Sequence, residues 1–216
     1  MNAETPRHLI PRKTPRQARS EVTRDAILEA AVHILLDGGM QRLTTKRVAD
    51  RAGVSVGSLY QYFQNKRALV YAVNGHYLDC VAVAVEAACD RHQGASLEQM
   101  VDGLVDAYSC AKLENPEITR ALYRSVAELD IQSQVDAFSK RVDTASRSML
   151  ESAPGASFDD IELINTTLLS AIFGTIRNAF DRGLGPEDAA AVHRQLSKMC
   201  LAYLKSVMRQ QNGAGA

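Results

Sequence analysis

The sequence predicts an all-α protein of about nine helices, and three observations carry that prediction. Apolar residues recur at helical spacing in almost every segment, strand-type alternation is absent, and prolines and glycines fall where helices start and stop. The chain has 216 residues, 46% hydrophobic and 23% charged, an ordinary globular balance with length enough for one or two domains.

Residues 1–19 carry Pro6, Pro11 and Pro15 among Arg7, Arg12, Lys13, Arg16 and Arg19, and read as a basic flexible arm. Ser20 is placed to cap a first helix, with Glu21 in its opening turn. Ala26, Ile27, Ala30, Ala31, Ile34 and Leu35 keep helical spacing until Gly38-Gly39 stops it. Two short helices follow between 44 and 63. Longer helices are expected at roughly 66–92, 96–113, 116–129, 131–151, 157–183 and 186–211. Asn115-Pro116-Glu117 and Gly185-Pro186-Glu187-Asp188 each supply an N-cap, an N1 proline and an acidic first turn, and Pro154-Gly155 marks a loop.

Net charge is zero, yet residues 1–73 hold 12 Lys and Arg against 6 Asp and Glu, while residues 74–216 hold 13 against 19. A basic first third and an acidic remainder point to two modules, the first facing a polyanion.

The two short helices carry the chemistry. Thr44 caps the first, whose Val48, Ala49 and Ala52 turn inward. Gly53 supplies the positive φ of a tight turn, Val54 plugs the space between the helices, and Ser55 caps the second. This is the helix-turn-helix plan, in which the second helix enters the major groove. At ~100° per residue from Leu59, Phe63 falls at about 40° and Val56 at about 60°, giving one buried face. Gly57 and Gln61 fall opposite, at about 160° and 200°, with Ser58 and Tyr60 on the flanks. An outward glycine lets the backbone approach DNA closely, and the Gln61 amide can pair bidentately with adenine. Hydroxyls of Thr45, Ser58, Tyr60 and Tyr62, with N–H groups at the helix start, can hold phosphates, and Lys66 opens the next helix. The candidate DNA-binding residues are therefore Thr45, Arg47, Ser55, Val56, Gly57, Ser58, Tyr60, Gln61, Tyr62 and Lys66.

From Thr44 to Lys66, with Ala52-Gly53-Val54-Ser55 and Gly57-Ser58-Leu59-Tyr60-Gln61-Tyr62-Phe63-Gln64-Asn65-Lys66, the chain resembles the DNA-binding signature of TetR-family transcriptional regulators. The specific match covers about residues 20–70, and the remainder agrees only in length and helical layout. The resemblance implies a three-helix helix-turn-helix head at 20–70, then a C-terminal bundle of about six helices at 71–216 for effector binding and dimerisation. It also implies repression relieved by a small molecule. Val56 stands where many members carry a polar or basic residue, and the arm is longer than in many. That arm either lies along phosphates or in the minor groove, or is a solvated tail adding only non-specific attraction.

The body has no nucleophile elbow, phosphate loop or HExxH motif, so no enzyme is expected. Cys80, Cys89, Cys110 and Cys200 form no metal-ligand spacing with the five scattered histidines and read as small buried hydrophobes, so neither metal nor cofactor is expected. Tyr77, Met100, Tyr108, Tyr123, Phe138, Met149, Asn165, Phe173 and Arg177 are amphipathic side chains on apolar helices. They either line a cavity for a small hydrophobic ligand or are plain core. Residues 157–183 are apolar on two faces: Ile161, Ile164, Leu168 and Ile172 on one, Leu169, Phe173, Ile176 and Phe180 on the other. With Ala171 and Gly174 allowing close approach, and Leu196, Met199 and Tyr203 on the last helix, they read as a homodimer interface, a four-helix bundle. Two-fold symmetry then requires a palindromic double-stranded operator.

No uninterrupted apolar run exceeds six residues and the N-terminus lacks an apolar signal region, so a cytoplasmic protein without a membrane partner is expected. The leading reading is a repressor released from its operator by a ligand. The alternative is a DNA-binding regulator without a small-molecule effector, controlled by a protein partner or by cysteine redox state.

Overall fold

Nine helices make up almost all of residues 18–113, 116–125 and 129–210, the part of the chain that the computed structural model describes. In order they are α1 (Ala18–Arg42), α2 (Thr45–Ala52), α3 (Val56–Tyr62), α4 (Lys66–Arg91), α5 (Leu97–Leu113), α6 (Pro116–Ser125), α7 (Gln132–Glu151), α8 (Ile161–Asp181) and α9 (Pro186–Val207). The all-α expectation holds, with one small addition: β1 (Ala156–Ser157) pairs antiparallel with β2 (Arg209–Gln210). The basic arm, apart from its last two residues, and the Asn115 cap lie outside the described residues.

The chain forms two compact units, Met1–Asp79 with Asn115–Ala137, and Cys80–Glu114 with Phe138–Ala216. Ile27, Leu28, Leu43, Val48, Ala49, Leu59, Phe63 and Leu69 form the core of the first unit, which Leu122 of α6 joins from the middle of the chain. Gly39, at φ 65° and ψ −166°, breaks α1 where the paired glycines predict a stop, and Leu43 beyond it turns into the core. Ser20 does not cap α1, which begins at Ala18; its hydroxyl shares a 3.0 Å hydrogen bond with the Tyr62 hydroxyl. α4 contributes to the first unit as far as Asp79 and to the second from Cys80. By length and composition α4 could cross a membrane, which a count of unbroken apolar runs misses because Asn74, Gly75 and His76 interrupt it. Half of that stretch is buried inside the protein, as in a core helix.

In the second unit, α5 and α8 both pack on α9. The core here is Met100, Leu104 and Val105 of α5, Val142, Met149 and Leu150 of α7, Leu168 and Ile172 of α8, and Leu196, Cys200 and Leu204 of α9. α8 starts at Ile161 rather than 157, because residues 156–157 are extended and the Asp160 carboxylate accepts from the Leu163 amide at 3.0 Å. α9 starts with Pro186 at its first turn, followed by Glu187 and Asp188, and ends at Val207 rather than 211, where Met208 turns extended into β2. Cys89 and Cys200 are buried as expected, and burial pushes their thiols up to about 12 and about 11. Cys80 and Cys110 are exposed: on long helices a nine-residue spacing puts Cys80 opposite Cys89, and Cys110 leaves the apolar stripe of α5.

Candidate nucleic-acid interface

α2 and α3 stand on local signals. The Thr44 hydroxyl accepts from the Arg47 amide at 3.2 Å, and the Ser55 hydroxyl accepts from the Ser58 amide at 3.0 Å, so both helices carry the side-chain caps their sequences predict. Between them Gly53 sits at φ 67° and ψ 28°, and the Val54 amide reaches back to the Ala49 carbonyl at 3.0 Å. That is the left-handed closure of a helix C-terminus, and nothing within 4 Å of a Cβ at Gly53 would oppose a side chain sterically. The glycine is there for its φ. Val54, half-buried, packs on the core between the helices.

α3 buries Leu59 and Tyr62 and leaves Gly57, Tyr60 and Gln61 exposed. A Cβ at Gly57 would meet only the Ser55 hydroxyl, at 3.7 Å, and its φ is ordinary. Nothing among the described residues calls for glycine there. Val56, expected on the buried face, is exposed instead, because the first residue of so short a helix lies beyond the end of the core that Leu59 and Phe63 enter. Tyr62 is buried with its hydroxyl on Ser20, and Tyr60 is exposed with its hydroxyl 3.3 Å from that of Thr45. Ser58 is half-buried and shares a 2.9 Å hydrogen bond with Ser55. The exposed Arg47 donates to the Arg42 carbonyl at 3.3 Å, and the Lys66 ammonium donates to the Met40 carbonyl. Lys46 and Arg51 on α2 and Arg67 at the start of α4 are exposed as well.

The expected ligand residues separate. Tyr77 and Tyr123 belong to the first unit, where the Tyr77 hydroxyl bonds that of Thr119. Met100, Tyr108, Phe138, Met149, Asn165, Phe173 and Arg177 belong to the second. Asn165 is structural: its amide oxygen accepts from the Ser146 hydroxyl at 2.8 Å and its nitrogen donates to the Asp143 carbonyl at 3.2 Å, joining α8 to α7. Met100 and Met149 are plain core. Tyr108, Phe138 and Phe173 come together, with ring centroids 4.4 Å apart for Tyr108–Phe173, 5.6 Å for Phe138–Phe173 and 6.5 Å for Tyr108–Phe138. Arg177 is exposed and pairs with Asp181 at 2.9 Å.

Lys112 was not among the expected residues. The residue is 2% exposed, with its ammonium 5.6 Å from the centre of the Tyr108 ring. Burial, and then the charge of Arg177, lower its pKa to about 8. The sequence signal is its phase: Lys112 continues the apolar series Val101, Leu104, Val105, Tyr108 on one face of α5.

The expected dimer residues divide too. Ile164, Leu168 and Leu196 are buried within one protomer, since both apolar faces of α8 are largely covered by its own unit. Ala171 and Tyr203 are half-buried, while Gly174 and Met199 face solvent, Met199 at 50% exposure. Met199 borders an open apolar groove of about 290 Å³ between α8 and α9, together with Thr175, Ala191, Val192, Gln195 and Leu196.

Two family models match the chain. One, described as bacterial regulatory proteins of the tetR family, covers residues 27–73; the other, a tetracyclin repressor-like C-terminal domain, covers residues 96–204. The chain is 32% identical over 136 residues to the HTH-type transcriptional repressor KstR of Mycobacterium tuberculosis, 61% of this chain and 60% of that protein. It is 44% identical over 54 residues to the tetracycline repressor protein class C of Escherichia coli, 25% of each. The chain thus spans about three-fifths or less of the length of these two curated relatives. A solved TetR transcription regulator from Haloarcula marismortui shares the fold with a TM-score of 0.66 at 21% identity, covering 88% of this chain and 100% of that one.

Proposed function

The chain belongs to the TetR family of DNA-binding transcriptional regulators, and from that premise we propose that it is a repressor released from a palindromic operator by a small apolar ligand. The observation that carries the DNA reading is the solvent face of α3. Gly57 and Gln61 lie on it side by side, opposite Leu59, and no contact among the described residues calls for a glycine at 57. A bare backbone at Gly57 lets α3 sink into the major groove, and the Gln61 amide then meets base edges there. Thr45, Tyr60, Ser55 and the amides opening α3 supply phosphate contacts, and Arg47 supplies charge. The ammonium of Lys66 fixes the end of α1 while remaining close to the start of α4.

Release follows from linkage. A ligand held in the second unit weakens DNA binding only if it prefers the conformation that DNA disfavours, and DNA must then weaken the ligand by the same factor. α4, continuous from Lys66 to Arg91 and shared by both units, is the element that carries the change. The protein works where the operator is, in the cytoplasm, as a homodimer that presents one α3 to each half-site.

Selection from a random duplex pool with the full chain tests this. A two-fold symmetric site is expected to be enriched, and Gln61→Ala should lose about 1–3 kcal/mol on that site while its affinity for random DNA hardly changes. Equal losses on both would remove Gln61 from base reading, and a selected pool without two-fold symmetry would overturn the operator reading.

A further inference from the structure

The basic residues of the head are unevenly placed along the sequence. Residues 1–19 hold 5 Arg and Lys against Glu4 alone, whereas residues 20–73 hold 7 against 5. Of the latter, Arg47 is engaged on the Arg42 carbonyl and Lys66 on the Met40 carbonyl. The folded head is thus only weakly basic, and most of its excess charge lies in the sequence before Ser20. Stability of α1 does not account for that placement, because cations at a helix start oppose its dipole. The same stretch has a second property. Pro6, Pro11 and Pro15 are each followed directly by an arginine, at Arg7, Arg12 and Arg16, while Pro116, Pro154 and Pro186 are followed by Glu117, Gly155 and Glu187. Proline fixes φ and gives up its N–H, which suits such a sequence to extended rather than helical backbone. An extended chain is narrow enough to follow the minor groove, and arginine is drawn to the strong negative potential of a narrow A·T groove.

The described residues fix where this stretch joins the head. The hydroxyl of Ser20, in the first turn of α1, shares its 3.0 Å hydrogen bond with the hydroxyl of Tyr62, the last residue of α3. That bond is partly buried and Tyr62 is 7% exposed, so the start of α1 is held against the end of the helix that presents Gly57 and Gln61. Half a turn of duplex, roughly 17 Å, separates a major groove from the minor groove beside it. Eight residues lead from Arg12 to Ser20, and extended they reach about 25 Å. We propose that Arg7, Arg12 and Arg16 enter the minor groove beside the major groove that α3 occupies, and so read A·T base pairs outside those that Gln61 meets. In that groove the guanine N2 amine is what marks G·C, so the arm adds a preference for A·T without fixing the order of A and T.

Minor-groove reading by the arm rests on α3 lying in the major groove, so both grooves are tested on one set of duplexes. The full chain selects its site from a random pool, and the base pairs flanking the positions sensitive to Gln61→Ala are then made all A·T, all G·C or all inosine·C. Inosine removes the guanine N2 amine from the minor groove and leaves the major-groove face of G·C unchanged. Wild type should bind the A·T and inosine·C duplexes alike, each roughly tenfold more tightly than the G·C duplex, a gap the size of one poorly matched base pair. Arg7→Gln, Arg12→Gln and Arg16→Gln combined should erase that gap while the preference within the half-site persists. Absence of the gap in wild type, inosine·C bound as weakly as G·C, or a gap that survives in the triple variant overturns the proposal. A wild type without the gap whose triple variant weakens on all three duplexes alike would make the arm a tail that attracts DNA by charge alone, and overturns it too. A gap that behaves as expected beside a Gln61→Ala variant with no loss within the half-site would uphold the arm and overturn the role given to Gln61.

Discussion

Gly57 is the residue at which stability and function should part company. Its φ is ordinary, and a Cβ would touch only the Ser55 hydroxyl at 3.7 Å, so Gly57→Ala meets no strain. Alanine in a helix is favoured over glycine by roughly 0.5–1 kcal/mol, and urea unfolding should find the variant as stable as wild type or more so. Operator affinity should nevertheless fall, since the methyl stands where the groove floor must come; retained affinity would place that face away from DNA. Lys112 makes a second residue-scale prediction. In the folded chain it titrates near 8 rather than at the 10.5 of a free lysine. Between those values the unfolded chain binds more protons, so this group adds stability as pH rises through the window, and its burial is costliest below pH 8. Cys89 and Cys200 act in the other direction: their raised pKa values mean that above the 9.0 of a free thiol the unfolded chain loses protons first, and stability falls. Wild type should therefore gain on Lys112→Met as pH climbs from 8 towards 10. A parallel pair of urea-midpoint curves would mean that Lys112 keeps an ordinary pKa.

The α2–turn–α3 element shows why some of this protein could be read from its sequence. Thr44, Gly53 and Ser55 act on the residues next to them, so cap, left-handed turn and cap follow from local chemistry, as does the phase of Gly57 and Gln61. Gly53 should respond to alanine in the opposite sense from Gly57. At φ 67° there is room for the methyl but not an easy backbone, so Gly53→Ala should cost about 1–2 kcal/mol by thermal or urea unfolding. A neutral result would mean that the turn relaxes to another geometry. Val56 and α8 mark the limit of such reading. Helical phase predicts which side of Val56 faces the core, but not that the core ends before reaching it. Two apolar faces on α8 predict two partners, but not whether a partner lies in the same chain, and here Ile164, Leu168 and Leu169 are already covered within one protomer. Lys112 escaped notice because a lysine in an apolar stripe is ordinarily read as surface; only tertiary packing shows that it is inside.

At the scale of the whole molecule, the homodimer proposed above would use the unburied remainder of α8 and α9. Gly174 faces solvent with nothing within 4 Å of a Cβ, and Met199 lies half-exposed at the rim of the apolar groove that also holds Val192. A second copy related by a two-fold axis would cover this strip, and a palindromic operator would require its two α3 helices about 34–36 Å apart, the spacing of successive major grooves on one side of a duplex. Gly174→Glu puts a charge into that strip without touching anything inside the protomer, so each subunit should fold with an unchanged Tm at low concentration. Sedimentation should then find monomers. Binding to the full palindrome should weaken by ~10²-fold or more, because two half-sites are no longer held by one linked pair. Affinity for a single half-site, which involves neither α8 nor α9, should hardly change. A variant that sediments as a monomer yet holds the full palindrome as tightly as wild type would show that the two-fold pairing is not what DNA reads. A Gly174→Glu chain that stays dimeric would move the interface off this strip of α8 and α9.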